Sequence, residues 1–74
     1  MSKLPVLSGE EIIKLLKKAG FNVVRQKGSH VSLQKDNFNT VVPLHTELAK
    51  GTIMGILNQC GLSKEDLRDL ITAK

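Results

Sequence analysis

The sequence contains few of the residues on which several common kinds of protein site depend. It has one cysteine, two phenylalanines, and neither tryptophan nor tyrosine. The single cysteine, Cys60, excludes an internal disulfide and a cysteine-based zinc site, and its apolar neighbours predict a buried side chain. The two aromatic residues, Phe21 and Phe38, fit core or sheet positions, which disfavours a surface that stacks single-stranded bases. Two histidines without a suitable carboxylate cluster predict no metal site and no cofactor.

The chain also lacks a long apolar segment. No stretch approaches the roughly 20 apolar residues that a membrane-spanning helix needs. The N-terminal Met1–Lys3 leads into a short apolar segment that Pro5 interrupts, a pattern unlike a secretory signal. We therefore expect a cytoplasmic protein with no membrane partner. Its 74 residues predict a single domain over residues 1–74, with a small core.

Positive charge, by contrast, is plentiful. The net charge is +4, and no carboxylate lies between Ile12 and Lys35. Several acidic residues lie instead in the C-terminal third, at Glu65, Asp66 and Asp69. This distribution favours nucleic acid or another acidic partner over a neutral small molecule. The alternative is an ordinary soluble protein with surplus lysines.

Residues 7–20 predict the first helix. Ser8 is the expected N-cap and Glu11 its reciprocal partner in a capping box, while Leu7 and Ile12 form a hydrophobic staple. Gly20 is the expected stop, because glycine readily adopts the left-handed conformation that ends a helix. The predicted apolar face consists of Ile12, Ile13, Leu15, Leu16 and Ala19.

Three short strands are expected next, over Phe21–Gln26, His30–Lys35 and Phe38–Leu44. A tight glycine-containing turn separates the first two strands. Pro43 has no N–H to donate to a β-ladder, so it marks the end of the third strand or an edge position.

The C-terminal third predicts two helices. One opens at Thr52 or a neighbouring residue and ends at Gly61, and the other is capped by Ser63 and Asp66 and passes through Ile71. The element order is α-β-β-β-α with a short C-terminal helix. It predicts an α+β fold in which a three-stranded antiparallel sheet carries helices on one face.

Alternation along the second strand predicts where its histidine points. Val31 and Leu33 alternate with His30, Ser32 and Gln34, so the two sets occupy opposite faces of the strand. The apolar set should face the core, and His30 should therefore face away from it. This argues against a buried structural histidine, and a surface histidine without a function is the alternative.

The residues around His30 suit chemistry on RNA. Histidine exchanges a proton near neutral pH, and a base that deprotonates a ribose 2′-hydroxyl lets that oxygen attack the adjacent phosphate without a metal. Arg25 and Lys27 supply positive charge for the phosphate. The Gly28 and Ser29 backbone can approach a phosphate closely, because Gly28 has no side chain. DNA lacks the 2′-hydroxyl, so this route selects RNA.

Other basic residues are weaker candidates for contacts with RNA. Lys50 stands at a helix start, where free N–H groups attract phosphates, although a plain capping turn is the alternative. His45 lies in a loop, and the sequence leaves three roles open for it: a second proton-transfer group, a substrate contact or a structural hydrogen-bond partner. Lys14, Lys17 and Lys18 share one side of the first helix, which is either a basic contact surface or a solvated face.

Six short motifs are spread along nearly the whole chain. They are Leu16–Phe21, Lys27–His30, Val42–His45, Lys50–Thr52, Ile56-Leu57 and Gly61–Ser63. Their combination is far more specific than any single motif. In this combination the chain resembles the HicA family of toxin ribonucleases from bacterial and archaeal toxin–antitoxin systems.

The resemblance implies a fold similar to a double-stranded RNA-binding domain, with His30 as the catalytic residue. It also implies that the chain is the toxin of a type II toxin–antitoxin system. Such a toxin is an mRNA interferase, which cleaves mRNA and is neutralised by a HicB-type antitoxin. A non-catalytic RNA-binding module of the double-stranded RNA-binding type is the rival interpretation, and a protein-interaction domain for an acidic partner is the third. The residues expected to contact RNA are Lys17, Lys18, Arg25, Lys27, Gly28, Ser29, His45 and Lys50.

Overall fold

The structure, a computed structural model, describes residues 6–72. Its elements follow the predicted order, and the expectation about the N-terminal Met1–Pro5 segment lies outside the described residues. Antiparallel strands form one open sheet with helices packed against one face, which confirms the α+β prediction. The elements are α1 (Gly9–Lys18), β1 (Asn22–Lys27), β2 (His30–Lys35), β3 (Phe38–Pro43), α2 (Lys50–Cys60) and α3 (Lys64–Thr72).

The helix ends follow the predicted side-chain caps. The Glu11 N–H donates to Ser8 Oγ at 3.1 Å, and the Ser8 N–H donates to Glu11 Oε1 at 2.8 Å. The same reciprocal pair joins Ser63 and Asp66 at the start of α3, with distances of 2.9 and 3.0 Å. Both capping boxes satisfy N–H groups that a helix start leaves without a partner, and both confirm the sequence prediction.

The first strand begins one residue later than predicted. The Phe21 N–H donates to the carbonyl oxygen of Leu16 at 2.9 Å, so Phe21 belongs to the turn that follows α1 and not to β1. This bond accompanies a φ of +101° at Gly20, the arrangement in which a glycine commonly ends a helix. Phe21 is buried, which fixes the direction in which the chain enters the sheet.

Three other predicted boundaries also shift. The first strand ends at Lys27 rather than Gln26, because Lys27 pairs with His30 in the ladder. The third strand ends at Pro43 rather than Leu44, because the ladder partner of Pro43 is His30, the first residue of β2. The helix α2 begins at Lys50, earlier than Thr52, and no side chain caps its start.

The core lies between the sheet and the helices. Thr40 and Val42 of β3 are buried on the same face as Val31 and Leu33 of β2. The helices contribute the remaining large buried side chains. Those that are almost fully buried are Ile12, Leu16, Ile53, Leu57 and Leu67. Within residues 6–72, no helix has the length and apolar character needed to cross a membrane.

Both long helices begin at one end of the sheet, which we call the hairpin end. It comprises the β1–β2 turn with the start of β2, residues 27–30, and the end of β3 at Pro43. The Gly9 N–H donates to the carbonyl oxygen of His45 at 2.9 Å, which holds the start of α1 against the chain that leaves β3. The Leu48 N–H donates to the carbonyl oxygen of Leu7 at 2.8 Å, just before α2 begins.

Candidate functional site

His30 is the first residue of β2 and lies at the hairpin end of the sheet. In the ladder it is opposite Lys27 on one side and Pro43 on the other. Its side chain is exposed, whereas the next residue, Val31, is only 4% exposed. The prediction that His30 faces away from the core is therefore confirmed. Among residues 6–72 no hydrogen bond or ion pair engages its imidazole, which leaves both ring nitrogens accessible.

The ladder defines an open face of the sheet, turned away from the helices. Residues directly opposite each other on neighbouring antiparallel strands share a face. The register therefore extends the face of His30 across all three strands. The residues of the open face are Asn22, Arg25, Lys27, His30, Ser32, Gln34, Asn39, Val41 and Pro43.

Two predicted cations share the open face with the histidine. Lys27 is the direct ladder partner of His30, and Arg25 is the partner of Ser32, the next outward residue of β2. Both basic side chains are exposed. The structure thus brings Arg25, Lys27 and His30 together, with positive charge next to the imidazole.

A β-bulge in β1 produces this arrangement. The ladder skips from Val23 to Arg25, which leaves Val24 as the extra residue. A bulge changes the side on which the following residues project, so strict alternation from the start of β1 misplaces the end of that strand. Alternation alone gave no signal for the bulge, and Val24, 57% exposed, is the residue that sequence reasoning missed.

The turn before His30 is fixed by backbone contacts. Gly28 has a φ of +60°, which glycine adopts more readily than other residues. The Leu44 N–H donates to the carbonyl oxygen of Ser29 at 2.7 Å, so the turn is tied to the chain that leaves β3. A Cβ atom on Gly28 would meet no atom within 4 Å, so the space in front of this backbone is open to a ligand.

His45 follows the end of β3 but lies against the start of α1. Its carbonyl oxygen accepts the Gly9 N–H, and its exposed side chain lines a depression of about 130 Å³ together with Ser8 and Glu10. His30 is not among the residues of that depression. This backbone hydrogen bond fits the structural role that was one of the three left open for His45 by the sequence.

Lys50 occupies the first position of α2, near the hairpin end. The N-cap residue Ala49 provides no side-chain hydrogen bond, and no acidic residue lies in the first turn of α2. The first turn therefore combines free N–H groups with the exposed Lys50 side chain.

Lys17 and Lys18 lie elsewhere. They occupy the last turn of α1, at the end of the sheet opposite His30 and in the helical layer rather than on the open face. Lys18 Nζ also donates to the carbonyl oxygen of Leu70 in α3 at 3.5 Å. These two lysines therefore do not form one cluster with Arg25, Lys27 and His30.

The residues that could hold a metal are scattered. Within residues 6–72, no group of three or more histidine, cysteine or carboxylate side chains has the geometry for one ion. Cys60 is buried at the end of α2, where burial raises the pKa of its thiol to about 11 and a hydrogen bond with Thr40 acts in the opposite direction. This thiol belongs to the core and not to the open face.

Comparison with known proteins identifies one family. The family model described as HicA toxin of bacterial toxin-antitoxin matches residues 9–62, a segment that contains all six elements except α3. Comparisons with curated proteins and with solved structures gave no match.

Proposed function

The chain belongs to the HicA family of toxins from bacterial toxin–antitoxin systems, and we propose that it is an endoribonuclease that uses His30 to cleave mRNA. The observation that carries this proposal is the exposed imidazole of His30 on the open face, directly opposite Lys27 and close to Arg25. Cleavage of mRNA in the cytoplasm would inhibit translation, which accounts for toxicity.

The reaction that suits these groups uses the RNA as its own nucleophile. A base removes the proton of a ribose 2′-hydroxyl, and the 2′-oxygen forms a bond to the adjacent phosphorus while the bond from phosphorus to the 5′-oxygen breaks. An acid returns a proton to the departing 5′-oxygen. The products are a 2′,3′-cyclic phosphate and a 5′-hydroxyl end. The reaction as written requires no oxidant, metal or cofactor.

His30 supplies one of the two proton transfers, since an exposed imidazole can serve as base or acid near neutral pH. The second transfer belongs to water, to a group of the substrate or to His45. The contacts of His45 with the start of α1 favour a structural or binding role for it.

The hairpin end provides the positive charge. Lys27 and Arg25 lie close enough to His30 in the ladder to neutralise the phosphate charge that grows during the attack. The exposed Gly28-Ser29 backbone contacts the same phosphate group. Lys50 contributes charge from the first turn of α2.

Lys17 and Lys18 act in a different way. Because they lie at the far end of α1, they attract RNA through the long-range field of the protein and do not contact the scissile phosphate. The proposed RNA-binding set therefore has a contact group at the hairpin end and a steering group on the helical layer.

Restraint of such an enzyme must come from outside the domain. We assign this role to a HicB-type antitoxin whose acidic residues cover His30 and the neighbouring cations. Complementary charge speeds association and excludes RNA in the same step.

A cleavage assay with matched histidine variants tests the proposal. The purified protein is incubated with a labelled single-stranded RNA in excess EDTA, and the products are separated and their ends identified. Wild-type protein should cleave the RNA and leave DNA of the same sequence intact. H30A should lose roughly 10²–10⁴-fold in rate, the usual contribution of one acid–base group. H45A should lose much less, because the contacts of His45 favour a structural or binding role.

Binding measurements separate the proposal from the non-catalytic alternative. The affinity of each variant is measured for a 2′-O-methyl RNA, which lacks the nucleophile. A circular dichroism spectrum of each variant reports whether the fold is kept. H30A should keep both its fold and its affinity. Wild-type protein that binds this RNA but never cleaves the natural one would establish an RNA-binding module instead.

A further inference from the structure

We propose that the substrate of this site is single-stranded RNA whose nucleotides lie across the open face, from His30 toward Gln34, with the amides of Asn22 and Asn39 contacting its bases. This inference rests on the proposed ribonuclease function and adds the form of the substrate and the path that it follows. No role was expected from the sequence for the two asparagines.

The open face is ordered in three rows that cross the sheet. The row at the hairpin end contains His30 and Lys27, and the middle row contains Ser32 with Arg25. The third row contains only amides, because Gln34 is opposite Asn22 in β1 and Asn39 in β3. Strand geometry separates His30 from the amide row by about 13 Å, which accommodates a short run of extended nucleotides.

The middle of the path is a shallow depression lined by both polar and apolar residues. Val24 and Val41 lie on either side of Ser32 and are 57% and 48% exposed. These three residues line a depression of about 420 Å³, together with Leu33, Asn39, Thr40 and Gln59. A second depression of about 370 Å³ continues from Val24 to Asn22 and Gln34. The two depressions meet at the bulge residue and form a continuous surface.

The asparagine amides suit the edges of bases. A side-chain amide both donates and accepts hydrogen bonds, as base edges do, and unpaired bases present these edges freely. Gln34 Nε2 already donates to the carbonyl oxygen of Asp36 at 3.4 Å, which restrains the central amide of the row. Within residues 6–72, no hydrogen bond engages the side chains of Asn22 and Asn39.

The charge of the open face also favours RNA over an acidic protein along this path. Its charged residues are Arg25 and Lys27, both near His30. Lys35 and Asp36 also line the second depression, but Lys35 Nζ is bound to the carbonyl oxygen of Ala19, and Asp36 lies in the turn beyond the amide row. A phosphate backbone would therefore be held tightly at the reacting end, while the neutral row contacts bases. Two valines without an aromatic neighbour offer little anchoring area to a protein partner.

The position of His30 argues for a single strand. The attacking 2′-oxygen, the phosphorus and the departing 5′-oxygen must come into line, and a stacked duplex holds them out of line. A duplex on the helical layer, next to Lys17 and Lys18, would lie on the side of the sheet opposite the His30 imidazole. An unpaired strand on the open face meets both requirements.

Chemical-shift mapping and asparagine variants test this inference. A short single-stranded 2′-O-methyl RNA is added to the full chain labelled with ¹⁵N, and the same RNA as a duplex is the comparison. We expect shifts at Asn22, Ser32 and Val41, and weaker binding of the duplex. N22A and N39A should each weaken binding about 2- to 10-fold, the value of one lost hydrogen bond. They should also change the bases preferred at the cleavage site.

The exposed Asn58 of α2 provides the matched control, because N58A removes an amide from the helical layer. Unchanged binding by N58A with weakened binding by N39A supports the inference. If cleavage depends on His30 but the chemical-shift changes are confined to α1 and α2, the path across the open face is wrong and the proposed ribonuclease function stands. Chemical-shift changes on the open face that appear with an acidic antitoxin but not with RNA would also overturn the proposed path. A protein that neither binds nor cleaves RNA would remove the proposed function itself.

Discussion

Gly9 packs against Pro43 so closely that a Cβ atom at Gly9 would overlap the carbonyl oxygen of Pro43. The same atom would lie 3.0 Å from Cα of Leu44. Pro43 is the ladder partner of His30, so the first turn of α1 supports the end of the strand that flanks the imidazole. A buried glycine at a helix start thus connects the core to the candidate site.

Gly9→Ala should destabilise the protein by about 1–3 kcal/mol, because the backbone of β3 cannot move away without disturbing the ladder. The free energy of unfolding is measured by urea denaturation. Gly55→Ala in α2 is the matched control: its new Cβ meets nothing within 4 Å, and it should gain about 0.5–1 kcal/mol from helix propensity. Equal stabilities of the two variants would contradict the close approach at Gly9.

Cys60 should make stability fall in alkaline solution. Burial raises the pKa of its thiol from 9.0 to about 11. Between these values the folded state keeps a proton that the unfolded chain loses, so the free energy of unfolding decreases as the pH rises through this window. C60A removes the titrating group. Urea denaturation near pH 8 and near pH 10.5 should therefore show the wild type losing its advantage over C60A as the pH rises, whereas parallel curves would exclude the effect.

The lysines should differ in how they affect RNA binding. Affinity falls with salt because each contacted phosphate releases counterions, and loss of a contact lowers the slope of log K against log salt by about 1. We expect this change for K27A and K50A. K17A and K18A should slow association while leaving the slope nearly intact. The salt dependence of the dissociation constant and of the association rate distinguishes the two groups. Equal slope changes in all four variants would show that all four lysines contact RNA in the same way.

The antitoxin should protect the hairpin end from hydrogen exchange. An acidic partner that covers His30 slows exchange of backbone amides across residues 27–33, measured by mass spectrometry on the complex. The helix α3 serves as the internal reference, because it lies in the helical layer, away from the open face. Protection restricted to α3 would exclude direct occlusion and indicate inhibition from a distance.

The elements most completely determined by local sequence were predicted best. Each capping box needs only two residues, Ser8 with Glu11 and Ser63 with Asp66, and both formed as expected. Alternation along β2 was enough to orient His30, because a buried strand with one apolar face has one register compatible with the core.

Long-range contacts explain what the sequence did not reveal. The bulge at Val24 depends on how β1 fits β2, and no residue in β1 marks it. Lys35 Nζ donates to the carbonyl oxygen of Ala19 at 2.7 Å and so caps the C-terminal end of α1, a contact between residues 16 positions apart. From the sequence alone, Lys17 and Lys18 were as good candidates for RNA contacts as Lys27. Their position relative to the open face follows only from the packing of α1.

The two-residue turns have a consequence for folding kinetics. Each strand pairs with the strand that follows it, so the sheet assembles from successive hairpins, which close in about 1–10 μs. The sheet therefore requires little loop-closure entropy, whereas the docking of α1 on β3 and on α3 joins distant parts of the chain. We expect such a domain to fold within about milliseconds.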